Sequence, residues 1–159
     1  MEKRLERLPP PPRSNGVIIG GKARDNKKVI LFQYVDRRRR GSLDEWLEGL
    51  EERERAAISS KLLSLQRIVC TSEADWGNCG LRGPIRGLKH LYKIKLGGSV
   101  QLRPIFCRGP VKTLGEVTFL FGALEVGGKW EPEDAPKRAE ERRKEVSVDV
   151  SRRREWRSP

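Results

Sequence analysis

The stretch HLYKIKLGGSVQLRPIF, residues 90–106, constrains the fold of this chain more than any other segment. Two runs of residues that favour strands flank Gly97-Gly98, which is the pattern of a β-hairpin. A two-residue loop would mix polar and apolar side chains on both faces, whereas a three-residue loop over 97–99 separates them. The second register predicts the opposed pairs Leu96–Val100, Lys95–Gln101, Ile94–Leu102 and Lys93–Arg103. A bulge or strand end is expected at Pro104, which has no backbone donor.

The polar face of this hairpin gathers Lys93, Lys95 and Arg103, which repel one another when no anion is near. They belong to a longer basic segment, because residues 76–115 contain no Asp or Glu. Its other cations are Arg82, Arg86, Lys89, Arg108 and Lys112. In a chain of net charge +12, such a segment indicates a polyanionic partner, most simply nucleic acid. The alternative is a face neutralised by counterions or by an acidic helix of the same protein.

Before the hairpin, the pattern predicts one strand and two helices. KKVILFQYV, residues 27–35, reads as a strand and is followed by a charged turn, DRRRRG, expected to be solvated. Ser42 and Glu45 have the spacing of a capping box. One helix face is then formed by Leu43, Trp46, Leu47 and Leu50. A second helix over about 52–69 places Ile58, Leu62, Leu65 and Val69 on one side. A helical hairpin and one bent helix both fit.

After a Gly-rich loop over 71–88, the hairpin and the apolar strand 117–126 predict a three-strand meander. A charged helix is expected from about 133 to 146. The sequence therefore predicts an α+β fold, in which a small antiparallel sheet packs against the helical hairpin, with the charged helix at the C-terminus. Residues 28–146 form the predicted domain. Residues 1–27 are predicted to be a flexible, basic Pro/Gly-rich arm, and residues 147–159 a mobile basic tail.

Cysteine and histidine are too sparse for an ordinary metal site. Cys70, Cys79 and Cys107 lack CxxC spacing, and His90 is the single histidine, so no metal or other cofactor is expected. The thiols are interpreted as reduced in a cytoplasmic protein, with Cys107 as a small core residue. No run of about 18 apolar residues occurs, so no membrane association is expected.

The order of these elements resembles that of the RelE/HigB-type toxins of bacterial and phage toxin–antitoxin pairs. The run YKIKL…QLRPIF is similar to the RelE hairpin, in which two lysines and an arginine of the next strand contact messenger RNA. DEWLEGL after the first strand resembles the same family. VTFLFGALEV…AEERRKEV is similar to the last strand and terminal helix of HigB-type members. The likeness covers about residues 29–146.

The resemblance implies a ribosome-dependent endonuclease that cleaves mRNA in the ribosomal A site and is bound by an antitoxin protein. The ribose 2′-OH would attack the adjacent phosphate without a metal, which requires a proton acceptor and positive charge around the phosphorane. By resemblance, Lys93 and Lys95 are candidates for the base and for orienting the phosphate, and Arg103 for holding it in a fork. Further RNA contacts are expected from Arg82, Arg86, Lys89, Gln101, Arg108, Lys112 and Lys129.

Some positions depart from the family pattern. Leu124 and Glu125 stand where HigB-type members often carry two lysines, and Lys129 and Trp130 are the nearest matches to RelE's basic residue and aromatic hydroxyl. The acid for the leaving group is therefore unassigned. Two other functions stay open: a nuclease-inactive relative that binds ribosomal RNA or another nucleic acid through the same face, and a protein-targeting relative of the gyrase-poisoning type.

Several side chains have simpler structural interpretations. Trp46 is expected in the core, and packing is favoured over base stacking for Trp76, Trp130 and Trp156. Lys93 and Lys95 could instead guard a strand against edge pairing. His90 is expected on the buried side of the hairpin or outside the strand, rather than as a catalytic base.

Overall fold

The computed structural model describes residues 28–69, 80–96 and 101–158. The elements follow in the order β1 (Ile30–Tyr34), α1 (Ser42–Glu48), α2 (Glu52–Gln66), β2 (Leu81–Arg82), β3 (Leu91–Ile94), β4 (Gln101–Arg108), β5 (Glu116–Val126), β6 (Lys129–Glu131), α3 (Ala135–Val148) and β7 (Arg153–Glu155). This is the predicted α+β fold, with two separate helices after the first strand. The predicted arm, the hairpin loop, Cys70, Trp76 and Cys79 lie outside the described residues.

The strands form one sheet in the order β2-β3-β4-β5-β1-β7. β5 is its long central strand: β4 pairs along one side, while β1 and β6 pair with successive parts of the other. β1 runs parallel to β5, with Ile30 opposite Glu116 and Gln33 opposite Phe119. The sheet is therefore mixed, and the prediction of an antiparallel sheet is wrong for this pair. Apolar patterning identifies a strand but carries no information about its direction.

Two hydrophobic clusters join the helices to the sheet. The cluster beneath α1 and α2 includes Leu43, Leu47, Ile58, Leu62 and Leu65 together with residues of β1, β4 and β5. The cluster beneath α3 contains Ala135 and Ala139, whose small side chains allow close packing against Ile105 and Leu120. Cys107 also lies in this second cluster and is buried, as expected of a core thiol. Helices consequently cover both faces of the sheet.

The hairpin register differs from the predicted one by two residues. Lys93 lies opposite Ile105 instead of Arg103, and Leu96 forms a bridge with Leu102. A shift of two keeps each side chain on its predicted face, since successive side chains of a strand alternate. The polar and apolar pattern thus determines the faces, but it does not distinguish registers that differ by two.

Pro104 lies within β4, opposite Gly122 of β5, and the strand does not end there. The irregularity in the β4–β5 pairing comes one residue later, between Ile105 and Phe106. A Cβ at Gly122 would overlap the indole ring of Trp46, so glycine permits α1 to approach the sheet. The Trp46 ring stacks on Phe119, with 5.6 Å between the ring centroids, in agreement with its predicted place in the core.

Helix α1 is capped from β1, and the predicted Ser42–Glu45 capping box is wrong. Its N-cap is Gly41, and Ser42 is already the first helical residue. The side-chain oxygen of Gln33 accepts hydrogen bonds from the backbone N–H groups of Leu43 and Asp44, at 3.1 and 3.0 Å. The partner of these two backbone donors thus comes from another element, β1, and not from the first turn of the helix. The spacing of residues within the helix does not reveal such a partner.

Helix α2 carries a capping box of its own. Glu51 is the N-cap residue, and its side chain accepts a hydrogen bond from the backbone N–H of Glu54. The Glu54 side chain in turn accepts one from the backbone N–H of Glu51. Three predicted positions, Ile58, Leu62 and Leu65, are buried. Val69 is exposed and lies beyond the helix, in an isolated bridge with Lys28, so its predicted place on the buried side is wrong.

The C-terminal residues predicted to be a mobile tail belong to the fold. β7 pairs antiparallel with β1. Trp156 is fully buried (0% exposed) in the cluster of α1 and α2. Arg153 forms a buried ion pair with Glu116 at 3.1 Å, and its guanidinium lies 3.7 Å from the centroid of the Phe32 ring. The prediction gave weight to the arginines, whereas the apolar surface of Trp156 and the edge of β1 determine the structure.

Candidate nucleic-acid interface

The adjacent strands β3, β4 and β5 bring four charged side chains together near one end of the hairpin. Lys93 lies in β3, Lys95 follows it, Arg103 lies in β4, and Glu125 lies near the end of β5. Glu125 is opposite Gln101, while Arg103 is opposite Ala123, so Arg103 and Glu125 are diagonal neighbours on the same face. We call Lys93, Lys95, Arg103 and Glu125 the charged centre.

Arg103 is the most deeply buried member of the charged centre (5% exposed). Its Nε donates to Glu125 Oε2 at 2.6 Å, and its Nη2 donates to Gln101 Oε1 at 2.9 Å. Its Nη1 donates to the backbone carbonyls of Leu96 and Leu102, at 3.2 and 2.9 Å. These bonds use four of the about five N–H groups of the guanidinium. Arg103 can therefore hold a phosphate in the predicted two-pronged contact only after some of these bonds break.

Glu125 is the residue that sequence reasoning missed. The hydrogen bond from Arg103 lowers the pKa of this carboxyl against the opposing effect of burial, and the charges of Arg103, Lys93 and Lys95 lower the pKa further. The carboxylate is therefore ionised at neutral pH, with about a quarter of its side chain (24%) exposed. Aligning β4 with β5 would have revealed the pair, because opposite charges at diagonal positions attract.

The lysines of the charged centre are more accessible than Arg103. The Lys93 ammonium lies 5.1 Å from the centroid of the Trp130 ring, which is a cation–π distance. Lys95 is exposed. Trp130 pairs with Glu125 across β5 and β6 and packs against the α3 cluster, consistent with its predicted packing role.

The predicted RNA-binding residues fall into two groups. Three exposed residues surround the charged centre: Arg82, Gln101 and Lys129. Arg82 lies opposite Lys93 in the pairing of β2 with β3. The other group lies at or before the start of β3 and around the end of β4: Arg86, Lys89, Arg108 and Lys112. Of these, Arg86, Lys89 and Lys112 are exposed, and the half-buried Arg108 guanidinium stacks 4.3 Å from the centroid of the Tyr92 ring. The described cations of the basic segment thus lie in two places, one around the charged centre and one near the start of β3 and the end of β4.

The expectation that the neutralising charge comes from outside the protein does not hold for Arg103. Its counterion is Glu125, supplied by a strand beyond the basic segment. His90 lies just before β3 and is exposed, which corresponds to the second of its two expected positions. Burial raises the pKa of the Cys107 thiol to about 12, so this residue is an inert part of the core.

Within residues 28–69, 80–96 and 101–158, no three His, Cys, Asp or Glu side chains gather as metal ligands. Over the same described ranges, no helix is both long enough and apolar enough to cross a bilayer.

The fold and the charged centre define a small α+β domain with cationic and acidic side chains clustered on a three-strand meander. No protein-family model, curated protein or solved structure matches the chain.

Proposed function

We propose that the protein is a translation-inhibiting toxin of RelE/HigB type, which cleaves mRNA in the ribosomal A site. The observation that supports this proposal is the charged centre, where two accessible lysines and an ionised carboxylate lie side by side on the hairpin expected to contact RNA. Such an arrangement combines the two requirements of 2′-OH attack, which are positive charge near the phosphorane and a proton acceptor.

In this mechanism Glu125 is the proton acceptor. The 2′ oxygen bonds to phosphorus and its proton passes to the carboxylate, while the bond from phosphorus to the 5′ oxygen breaks. The products are a 2′,3′-cyclic phosphate and a 5′-hydroxyl, which takes a proton from solvent. Lys93 and Lys95 stabilise the charge that develops on the phosphorane oxygens. Assigning the base to Glu125 replaces the expectation that one of the lysines has this role.

Arg103 acts in this proposal as a positioning residue. Its short bond to Glu125 Oε2 and its bonds to two backbone carbonyls hold the carboxylate in one place. This leaves Glu125 Oε1 as the oxygen that would receive the 2′ proton. A positioned carboxylate with a lowered pKa is a weaker base, but it is fully ionised at neutral pH.

A second candidate is an RNA-binding protein that does not cleave, and one observation favours it. Because Arg103 is already neutralised by Glu125, the charged centre has less positive charge for a phosphorane than the sequence suggests. In that case the exposed cations around it would still bind RNA, and binding would weaken steeply as salt increases.

The partner expected to restrain the toxin is an antitoxin protein with an acidic segment. The exposed cations Arg82, Lys95 and Lys129 around the charged centre are the surface such a segment would cover. Co-expression with a candidate partner should relieve growth inhibition and yield a complex that salt weakens. Harmless high-level expression of the chain alone would favour the non-cleaving candidate.

Single-turnover cleavage of mRNA on programmed ribosomes separates the candidates. Glu125→Gln should lower the cleavage rate by roughly tenfold to a thousandfold while ribosome affinity changes little. The matched control is Glu131→Gln, an exposed glutamate of the neighbouring strand β6, which should cleave like the parent protein. Equal rates for the two variants, or no cleavage by the parent protein despite salt-dependent RNA binding, would reject the nuclease mechanism.

A further inference from the structure

Two arginines of α3 lie over one aromatic ring in the middle of β5. The guanidinium carbons of Arg138 and Arg142 lie 4.7 and 5.2 Å from the centroid of the Phe121 ring. The Arg142 guanidinium also lies 4.7 Å from the centroid of the Tyr34 ring. The two arginines are four positions apart, so they are neighbours on one side of the helix. We call Arg138 and Arg142 the guanidinium pair.

The half-buried Arg142 is held in place but keeps donors for a ligand. Its Nη1 donates to the Leu120 carbonyl at 2.8 Å. Its Nε and Nη2 have no acceptor among the described residues, yet neither is a buried atom without a partner, so both remain accessible. Burial lowers the pKa of Arg142, and the charge of Arg138 acts in the same direction. The two guanidinium groups therefore repel each other, and an anion between them would relieve this repulsion.

The guanidinium pair forms no ion pair with a carboxylate of residues 28–69, 80–96 or 101–158. Two carboxylates, Glu145 and Glu45, are near enough for their charges to act on Arg142. Glu145 pairs with Arg152 and Glu45 pairs with Arg40, each at 3.2 Å. Because both carboxylates already have a cationic partner, the charge of the guanidinium pair is left for a ligand from outside.

The guanidinium pair lies on the same face of the sheet as the charged centre. Phe121 and Glu125 are four residues apart in a stretch of β5 whose pairing with β4 is regular, so their side chains share a face. This separation corresponds to about 13 Å along the strand. Trp130, over which Lys93 lies, packs against the same hydrophobic cluster as Phe121. Cations stacked on aromatic rings therefore occur on this face both at the charged centre and at α3.

We propose that the guanidinium pair binds a backbone phosphate of the RNA strand whose scissile phosphate occupies the charged centre. This inference rests on the proposed function and adds a second contact to it. Guanidinium groups suit phosphate oxygens well, because they contact them through two N–H groups at once. Cations interleaved with aromatic rings are also typical of surfaces that bind single strands, which cover about 4–16 nucleotides. One strand can therefore reach both places.

Arg138 is the residue to vary, because it is exposed, whereas Arg142 also bonds the Leu120 carbonyl. Fluorescence anisotropy of a labelled, unstructured RNA of about ten nucleotides measures the affinity of the full chain at several salt concentrations. Arg138→Gln should weaken binding about three- to tenfold. It should also lower the slope of log K against log salt by about 0.7, the loss of one phosphate contact on a single strand.

The matched control is Lys144→Gln, which removes the same charge from the groove that Lys144 lines with Arg37 on α3. This variant should bind RNA within about twofold of the parent value and keep the salt slope. Equal weakening by Arg138→Gln and Lys144→Gln would show that overall charge governs binding, and would overturn the site. An Arg138→Gln variant that binds RNA normally but binds an acidic protein partner weakly would also overturn it, and would assign the guanidinium pair to that partner.

The RNA titration requires no cleavage, so its failure and the failure of the proposed function are distinguishable. The expected effect of Arg138→Gln, in a protein that does not cut mRNA on ribosomes, would reject the nuclease mechanism and support the RNA contact. An active nuclease whose RNA affinity is unchanged by Arg138→Gln would overturn the RNA contact and leave the nuclease mechanism in place.

Discussion

The Nε group of Arg103 lies 2.6 Å from Glu125 Oε2, in a pair where the side chains are 7% and 24% exposed. The two residues belong to adjacent strands and lie on diagonal positions of one face. Removing one member of such a pair leaves a buried or half-buried charge without its counterion, which is more costly than the pair itself is favourable. The pair therefore restricts substitution in the charged centre, whether or not the centre cleaves RNA.

Glu125→Ala should lower the free energy of unfolding by about 1–3 kcal/mol, less than for a fully buried pair because Glu125 is partly exposed. Urea unfolding measures this change, with Glu131→Ala as the exposed control on β6. Arg103→Met combined with Glu125→Leu should recover most of the loss, since neither charge then remains. A double variant less stable than Glu125→Ala would show that Arg103 stabilises the fold chiefly through its bonds to the backbone.

The pH dependence of stability should identify the same carboxylate. The bond from Arg103 lowers the pKa of Glu125 in the folded state. A carboxyl whose pKa is lower when folded stabilises the protein above its unfolded pKa, about 4.3, and this contribution disappears as the pH falls through the folded pKa. The stability difference between the parent protein and Glu125→Gln should thus be largest near pH 7 and shrink below about pH 4. Urea unfolding of both proteins from pH 7 to below about pH 4 measures this difference. A stability difference that stays constant over this range would contradict the prediction.

The cap of α1 gives a prediction in which two nearby positions should behave differently. Gln33→Ala removes the acceptor of two backbone donors and a 2.8 Å bond to Asp44, and should cost about 1–2 kcal/mol. Ser42→Ala should be neutral or slightly stabilising, because the buried Ser42 hydroxyl has no hydrogen-bond partner within the described residues. Thermal unfolding measures the stability loss of each variant, and the loss should be larger for Gln33→Ala. A larger loss for Ser42→Ala would restore the capping box that the sequence indicates.

Local patterns predicted the elements well because they depend on spacing along the chain. Leu43 and Leu47 mark a helix face, and the alternation around Ile94 and Leu102 marks the faces of a hairpin. The failures concern partners that are distant in sequence. The cap supplied by Gln33 and the parallel pairing of β1 with β5 join residues that spacing does not relate.

The sequence predicts three of the four residues of the charged centre, because they follow a local pattern within one hairpin. Lys93, Lys95 and Arg103 are recognisable as one polar face, since a register error of two leaves the faces unchanged. Glu125 belongs to a different strand and was interpreted as a departure from a family pattern, so its bond to Arg103 was not foreseen. When charges are summed over separate sequence segments, Arg103 and Glu125 fall into different segments, although the sheet places them in contact.

The C-terminal residues should be indispensable for folding. Trp156→Ala should lower the free energy of unfolding by about 3–5 kcal/mol, because the indole is fully buried among residues of β1, α1 and α2. Arg157→Ala, at the adjacent exposed position, is the control and should change stability by no more than about 0.5 kcal/mol. Truncation after Asp149 should be worse than Trp156→Ala alone, since it also removes β7 and leaves buried Glu116 without Arg153. Circular dichroism during urea unfolding provides the measurement. A truncated chain as stable as the parent protein would show that the segment only rests on the sheet.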